Sequence, residues 1–392
     1  MERRKFLQAA AAGLALVPLA PAPDNAGAAA PDWLAELGLG FGVAIHDYSD
    51  ATLDMAAEAG FTLIRTDFFW SGVETKRHVY DWATYDDLLA RLTKRKLRPQ
   101  FVLGFNNPDV YGGNWMEGIT MSFEKNAYAA FAAAAVERYR DINPIWEIYN
   151  EPNRDNFWEP KANSAEYMAM AKQAISAIRA KTPDAIILAP ALGHKMGEEV
   201  LDVAFLDDCL KDGLLPLIDG VSIHPYVDPE MAADSIAAVQ AVIDTYNPDG
   251  RAVAILSTEW GFATNKFVND DLQADVLVRM FLMNLSLGVP LSIAYVAVDR
   301  TEDYVPENER SYGIVRADYT RKAAFGALQE MMKRLQGMRF KERVASEPAD
   351  FVLAFGGAGR TLIAAWTSGE ARDAVVNGVT VLLTSRPVYF DA

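Results

Sequence analysis

The feature that most constrains this chain is a regular alternation of short apolar runs and longer amphipathic stretches, which begins near residue 38. The runs are rich in Val, Ile, Leu and Phe, and the stretches between them have the period of helices. This alternation predicts a parallel sheet with crossover helices. We identify eight strand-like runs, at 39–46, 62–69, 99–105, 145–150, 185–190, 220–226, 252–259 and 291–298.

The number of helical stretches matches the number of strands. They lie at 50–59, 81–96, 125–140, 164–182, 197–211, 232–246, 271–287 and 319–335. Eight strands with eight helices predict an α/β fold of the (β/α)8 TIM-barrel type. An open doubly wound sheet is the alternative. The glycines of residues 38–42 lack the spacing of a dinucleotide loop, and the sequence contains neither a phosphate-binding loop nor a Gly-x-Ser-x-Gly elbow.

Segments of different composition flank the barrel. Residues 1–30 combine Arg3-Arg4-Lys5-Phe6-Leu7 with an Ala/Leu run and an Ala-x-Ala site at 26–28, which predicts a signal peptide. The paired arginines resemble a twin-arginine export signal, so we expect a periplasmic or secreted protein. An uncleaved amphipathic anchor is the alternative. We assign residues 31–336 to the barrel and 337–392 to a small antiparallel β appendage that packs on it, because so small a piece buries too little surface alone.

The charge balance and the single cysteine exclude several classes of partner. Lys and Arg number 37 against 53 Asp and Glu, and the net charge of −16 repels nucleic acids and anionic membranes. Cys209, the one cysteine, excludes an internal disulfide and a cysteine-based zinc site. We expect a monomer without nucleic-acid partners, and no membrane insertion of the mature protein.

Two glutamates lie where a barrel of this type carries its chemistry. Active sites form at the C-terminal ends of the strands. Glu151 follows the fourth strand and Glu259 ends the seventh, so the two lie across the barrel mouth from each other. A facing carboxylate pair is what cleavage of a glycosidic bond requires, one group to protonate the leaving oxygen and one to meet the charge at the anomeric carbon. The pair predicts a glycosidase site.

The residues around both glutamates resemble a known group of enzymes. Residues 146–153 read Trp-Glu-Ile-Tyr-Asn-Glu-Pro-Asn, Thr258 precedes Glu259, and residues 312–315 read Tyr-Gly-Ile-Val. These motifs resemble glycoside hydrolase clan A, most closely family 39 and its relatives that cut bacterial exopolysaccharides, with family 5 second. The resemblance implies a retaining enzyme in which Glu151 is the general acid/base and Glu259 the nucleophile.

Other strand-end residues fit supporting roles. Arg65 is a permanent cation that could hold Glu259 ionised, or could instead pair with Glu147. By resemblance, Asn150 bonds the sugar 2-hydroxyl, Tyr226 donates to the nucleophile, and His224 tunes the acid/base or contacts sugar. We expect the environment to raise the pKa of Glu151 and lower that of Glu259, and the two carboxyl groups to lie about 5 to 5.5 Å apart.

Sugar rings present apolar faces, so aromatic side chains near strand ends are candidate platforms. Trp260 and Trp70 are favoured because each follows a strand that carries a site residue, and the further candidates are Trp115, Tyr149, Trp158 and Tyr295. Many clan members place a tryptophan at the end of strand eight, where this chain has Tyr295 as a substitute. His46, which ends strand one, is either a sugar contact or a packing residue.

Together these observations predict a retaining glycoside hydrolase that cleaves β-glycosidic bonds inside a polysaccharide or oligosaccharide. We expect no cofactor and no metal. Two alternatives remain open, a catalytically inactive glycan-binding protein and a transglycosylase that remodels an exopolysaccharide.

Overall fold

A computed structural model describes residues 32–391, apart from Met196, Ala345 and Ala358. The predicted signal peptide at 1–30 lies outside the described residues. No helix within the described part of the chain combines the length and apolarity needed to cross a membrane.

Within the described residues ten strands precede the last long helix, and eight of them close into a parallel barrel. The strands are β1 (Phe41–Ala44), β2 (Leu63–Phe69), β3 (Glu74–Lys76), β4 (Val79–Tyr80), β5 (Arg98–Gly104), β6 (Ile145–Ile148), β7 (Ile186–Gly193), β8 (Gly220–His224), β9 (Ala254–Trp260) and β10 (Ser292–Ala294). The barrel order is β1-β10-β9-β8-β7-β6-β5-β2, and β3 and β4 form a separate hairpin. The predicted TIM barrel is confirmed.

The helices connect these strands in the expected alternation. They are α1 (Asp32–Glu36), α2 (Asp50–Ala59), α3 (Trp70–Val73), α4 (Ala83–Lys94), α5 (Pro108–Tyr111), α6 (Ser122–Arg138), α7 (Ser164–Lys181), α8 (Ala204–Lys211), α9 (Ala232–Tyr246), α10 (Asp270–Ser286) and α11 (Ala323–Leu335). In α2 the ends follow from the sequence. Ser49 accepts a hydrogen bond from the Thr52 amide, and Gly60 ends the helix with φ of 99°.

The barrel interior has an apolar layer below a polar one. Leu63, Ile145 and Leu256 belong to one buried cluster inside the strands, and the short helix α1 packs against its lower end through Trp33 and Leu34. Side chains two residues further along a strand lie on the same face. Arg65, Glu147 and Thr258 therefore point inward directly above this cluster. The polar residues therefore lie between the apolar layer and the mouth of the barrel.

After α11 the chain forms a small antiparallel structure. Its strands are β11 (Arg339–Arg343), β12 (Asp350–Gly357), β13 (Arg360–Thr367), β14 (Arg372–Val376), β15 (Val379–Leu383) and β16 (Val388–Asp391). The sheet order is β11-β12-β13-β16, with β14 and β15 as a hairpin. Trp366 donates to Glu230 at 3.0 Å and Arg386 contacts Asp275 at 2.7 Å, so the sheet is fastened to α10 and to the turn before α9.

Candidate active site

Glu151 and Glu259 converge at the C-terminal mouth of the barrel. Glu151 lies three residues after β6, and Glu259 is the second-last residue of β9. One carboxyl oxygen of each, together with a ring nitrogen of His224, lies within 4.8 Å of the other two. Both glutamates are largely buried, with side-chain exposures of 3% for Glu151 and 13% for Glu259. Two residues 108 positions apart in the sequence thus share one small polar site.

Glu259 receives hydrogen bonds on both carboxyl oxygens. Nη1 of Arg65 donates to Oε2 at 2.6 Å, and the hydroxyl of Tyr226 donates to Oε1 at 2.7 Å. The two donors hold the carboxyl group of Glu259 in one orientation.

Arg65 also reaches across the floor of the site. Its Nε donates to Glu147 at 2.9 Å, and its Nη2 donates to Oδ1 of Asn150 at 2.8 Å. Glu147 is fully buried and accepts a further bond from Thr258 at 2.7 Å. One guanidinium therefore pairs with Glu147 and Glu259 together.

Glu151 has a different environment from the one predicted. Oε1 lies 2.8 Å from Nδ1 of His224, and Oε2 accepts from Nη1 of Arg154 at 3.0 Å. Burial raises the pKa of Glu151, but the hydrogen bond from His224 and the charges of Arg154 and Arg65 outweigh it, so the pKa lies below its usual value. The prediction of a raised pKa is wrong for the unliganded site. His224 lowers the pKa most, and Arg154, whose contact with Glu151 the sequence analysis missed, lowers it further.

The loop that carries Glu151 has an unusual backbone. Tyr149 has φ of 67° and Glu151 has φ of 45°, both in the left-handed region that side chains disfavour. Hydrogen bonds from the Tyr149 amide to Leu103 and from the Glu151 amide to Ala191, each 3.1 Å, hold this path. Such residues cost on the order of 1–3 kcal/mol each and concentrate at functional sites. This strained backbone conformation places the carboxyl group of Glu151 at the mouth of the barrel.

Comparison with known proteins identifies the family. A model of the family described as "Cellulase (glycosyl hydrolase family 5)" matches residues 39–286. The chain belongs to this family. It is a retaining glycoside hydrolase of clan A. No curated protein sequence matches the chain.

Solved structures similar to this hydrolase are mostly family 39 enzymes. A family 39 glycoside hydrolase from Bacteroides cellulosilyticus WH2 has a TM-score of 0.74 at 23% identity, covering 90% of this chain and 80% of that one. A monomeric β-xylosidase from Caulobacter crescentus CB15 has a TM-score of 0.64 at 19% identity, covering 86% and 78%. The family 39 enzyme from Xanthomonas axonopodis pv. citri has a TM-score of 0.64 at 18% identity, covering 89% of this chain and 78% of that one. At these identities the likeness supports the fold.

The favoured aromatic platforms of the hydrolase are buried. Trp260 is 1% exposed and donates to Ser292 at 2.9 Å, and Trp70 is fully buried and donates to Glu74 at 2.6 Å. The platform role predicted for both is wrong. The pairing of β9 with β10 is irregular at this point, so Thr258 and Glu259 both face the site. Trp260 therefore points outward, and its ring packs against Phe281 of α10. Tyr149 and Trp158 are buried as well.

Trp115 is the most exposed of the aromatic platforms predicted from sequence. It is 37% exposed, and its ring lies 4.8 Å from Phe105 and 5.4 Å from Phe69, centroid to centroid. Phe105 in turn stacks on Phe157 at 6.2 Å. These four rings, which we call the aromatic row, follow the ends of β2, β5 and β6. The row leads toward Glu151, because Phe157 lies beneath the Arg154 guanidinium at 5.6 Å.

A polar group of residues occupies the side of the mouth nearest β1 and β10. His46 has 28% of its side chain exposed and meets the ring edge of Tyr295 at 5.6 Å. Burial and the nearby Arg300 lower the pKa of His46 to about 3, so the ring is neutral. A cavity of about 200 Å³ opens beside it, lined also by Arg300 and Glu302, and neither Glu151 nor Glu259 lines it.

Asp67 is a further acidic residue that the sequence analysis missed. It lies two residues after Arg65 on β2, which was the available signal, since both share the inward face. Its carboxyl oxygen is 3.9 Å from Nδ1 of His46. Burial, opposed by Arg65 and reinforced by Glu259, raises the pKa of Asp67 to about 6.

Proposed function

We propose that this hydrolase cleaves β-glycosidic bonds of a polysaccharide or oligosaccharide by double displacement, with Glu259 as nucleophile and Glu151 as general acid/base. The observation that carries the proposal is the convergence of the two carboxyl groups, with one oxygen of each within 4.8 Å. Retaining glycosidases have carboxyl groups about 5–5.5 Å apart, whereas inverting enzymes need about 6.5–9.5 Å to fit a water. The spacing supports direct attack by a carboxylate.

In the first step Glu259 attacks the anomeric carbon while Glu151 protonates the leaving glycosidic oxygen. A covalent glycosyl-enzyme forms as the bond to the leaving sugar breaks. Arg65 and Tyr226 keep the attacking carboxylate ionised and aimed, through contacts of 2.6 and 2.7 Å. In the second step Glu151 removes a proton from water, which attacks the same carbon and releases the sugar.

Asn150 and His224 support these two steps. Oδ1 of Asn150 accepts a hydrogen bond from Arg65. This contact orients the amide so that its nitrogen can donate to a sugar hydroxyl next to the reacting carbon. Hydrogen bonds to the 2-hydroxyl strengthen in the transition state of this reaction. His224 fixes the acid/base through its 2.8 Å contact with Glu151.

The substrate side of the proposal is internal cleavage of a β-linked chain. The aromatic row lies at the ends of β2, β5 and β6, and His46, Tyr295 and Asp67 lie along the ends of β1, β10 and β2. Groups that can hold sugar along several neighbouring strand ends favour binding within a chain. The β linkage is supported by a related solved structure, which is described as a β-xylosidase.

Export and a monomeric state complete the proposal. The twin-arginine-like motif at the start of the sequence supports delivery of the folded enzyme to the periplasm or the exterior. We further assign residues 31–336 to the catalytic barrel and 337–392 to its appendage, and expect the exported chain to act alone on carbohydrate.

The two glutamates are tested separately with aryl β-glycosides that differ in leaving group. Glu259→Ala should abolish hydrolysis of every substrate, and added azide should yield the glycosyl azide of inverted configuration. Glu151→Ala should lose activity mainly on poor leaving groups, and azide should yield the retained product. Glu342→Gln, an exposed residue of the appendage, serves as the control and keeps wild-type rates.

The outcomes also separate the other candidate functions. Full activity of either glutamate variant would overturn the proposal. Tight polymer binding with no reducing ends released identifies a glycan-binding protein, and sugar transfer to a labelled acceptor in place of water identifies a transglycosylase. Sizing the products of a polysaccharide panel by mass spectrometry distinguishes internal from terminal cleavage.

A further inference from the structure

Arg154 contacts the carboxyl oxygen of Glu151 that His224 leaves to it. Oε1 of Glu151 lies 2.8 Å from Nδ1 of His224, a ring that is fully buried. Oε2 lies 3.0 Å from Nη1 of Arg154, whose side chain is 28% exposed against 3% for Glu151. The guanidinium therefore covers the open side of the carboxyl group.

The backbone around Arg154 holds the side chain in this position. Asn153 donates to the Gly193 carbonyl at 2.6 Å and accepts from the Gly193 amide at 2.8 Å. A Cβ on Gly193 would lie 2.5 Å from Cδ of Glu151 and 2.9 Å from Cδ of Arg154, so both side chains pack on this glycine. The ring of Phe157 lies 5.6 Å from the guanidinium carbon. Arg154 is thus packed on two sides.

The tautomer of His224 fixes which oxygen of Glu151 carries the catalytic proton. Nη2 of Arg65 lies 3.3 Å from Nε2 of His224, and a guanidinium can only donate. Nε2 therefore accepts from Arg65, and the proton on Nδ1 is donated to Oε1 of Glu151. A proton on Glu151 belongs on Oε2. This is the oxygen that Arg154 occupies.

We propose that Arg154 forms an anion-binding subsite on the leaving-group side, and that it selects chains whose leaving sugar carries a carboxylate, such as a uronic acid. The inference rests on the proposed function, because Oε2 of Glu151 marks the leaving-group side only if Glu151 is the acid. The planar fork of arginine matches a carboxylate through two parallel hydrogen bonds. The substrate carboxylate replaces Glu151 as the partner of the guanidinium.

The exchange leaves the proton balance of the reaction intact. When the substrate carboxylate takes Arg154, Oε2 of Glu151 gains a proton from solvent. That proton passes to the glycosidic oxygen as its bond to the anomeric carbon breaks and the bond from Glu259 forms. Water later returns a proton to Glu151 as it attacks. An acidic leaving sugar therefore prepares the acid that expels it.

The charge of the whole protein makes a local cation necessary for such a substrate. The net charge of −16 repels an acidic polysaccharide at a distance. Salt screens this repulsion beyond about 8 Å at physiological ionic strength, whereas a direct contact with a part-buried guanidinium is screened much less. Selection of an acidic sugar would then depend on Arg154 and weaken only slightly with salt.

The pH dependence of activity tests the contact between Arg154 and Glu151 independently of substrate affinity. Several charged or titratable groups face Glu151 from the elements packed around it: Arg65 of β2, His194 after β7, His224 of β8, Glu259 of β9 and Arg154 of its own loop. Arg154 is the most exposed of the cations among them. Its removal raises the pKa of Glu151, which moves the high-pH limb of kcat/KM upward.

The test uses matched pairs of polysaccharides, each a glucuronic acid-containing polymer and its carboxyl-reduced form. For the wild type we expect kcat/KM to favour an acidic member over its reduced partner by about 10- to 100-fold, the range of a hydrogen bond to a charged group. Arg154→Gln should bring this ratio close to one and shift the high-pH limb upward. Arg154→Lys should restore part of the ratio.

Arg140→Gln is the matched control. Arg140 is exposed and follows α6, at the end of the barrel opposite the mouth, so its variant keeps the wild-type ratio and pH profile. The proposal is overturned if no acidic polymer in the panel exceeds its reduced partner. It is also overturned if Arg154→Gln lowers both members equally. Failure of the proposed function gives a different result, because only in that case do the Glu151 or Glu259 variants keep full activity.

Discussion

Gly193, the last residue of β7, leaves the space that the carboxyl group of Glu151 occupies. In Gly193→Ala the new Cβ would lie 2.5 Å from Cδ and 2.7 Å from Cγ of Glu151. Carbon atoms make favourable contacts at about 3.5–4.0 Å, so the carboxyl group must move by roughly 1 Å. A displacement of about 1 Å at a catalytic group costs on the order of 100-fold in rate. We expect kcat to fall by about that factor, and overpacking to lower the unfolding free energy by about 1–3 kcal/mol.

The assay compares aryl β-glycosides with poor and good leaving groups, alongside thermal unfolding. Because a good leaving group needs little protonation, the loss should be large with a phenyl group and small with a dinitrophenyl group. Gly326→Ala is the control, since a Cβ at this exposed position of α11 has nothing within 4 Å. A folded Gly193→Ala enzyme with kcat within threefold of wild type on both substrates would refute the positioning of Glu151 described above.

Three further changes probe other parts of the site. Tyr226→Phe removes the donor 2.7 Å from Glu259 and should lower kcat by about 10- to 100-fold without changing the melting temperature; an unchanged kcat would contradict the role of the hydroxyl. The pKa of Asp67 is raised to about 6, so its protonated form stabilises the fold below about pH 4, and this contribution, about 3 kcal/mol, is lost as the pH rises through 6. Asp67→Asn should remove that part of the pH dependence in denaturant unfolding, and an identical pH curve would count against it. Trp115→Ala should raise KM for a polymer several-fold while leaving KM for a short aryl glycoside and the melting temperature unaltered; equal effects on both substrates would exclude a platform role.

The barrel and its two glutamates could be predicted from sequence because both depend on local pattern. Helix α2 was predicted with the bounds that the structure has, since Ser49 and Gly60 mark its ends. The position of Glu151 followed from the rule that residues after barrel strands face the mouth. Sequence patterns of this kind predict local structure without knowledge of the tertiary contacts made by the rest of the chain.

The aromatic platforms and the protonation of Glu151 could not be predicted in the same way. Proximity in sequence favoured Trp260, although the irregular pairing of β9 with β10 turns its ring away from the site. The pKa of Glu151 is lowered by His224 and further by Arg154, whose contact depends on a backbone with φ of 45° at Glu151 itself. Strand and helix patterns contain no information about such a local conformation.

The terminal sheet changes the character of one barrel helix. Outer helices of such barrels usually keep a wet face, yet α10 has twelve consecutive buried residues, from Gln273 to Asn284. Phe351 and Trp366 of the sheet belong to the same apolar cluster as Phe281 of that helix. A variant truncated before β11 would therefore expose an apolar surface of α10, next to the strand that carries Glu259. We expect this variant to aggregate in solution under conditions in which the full-length enzyme does not.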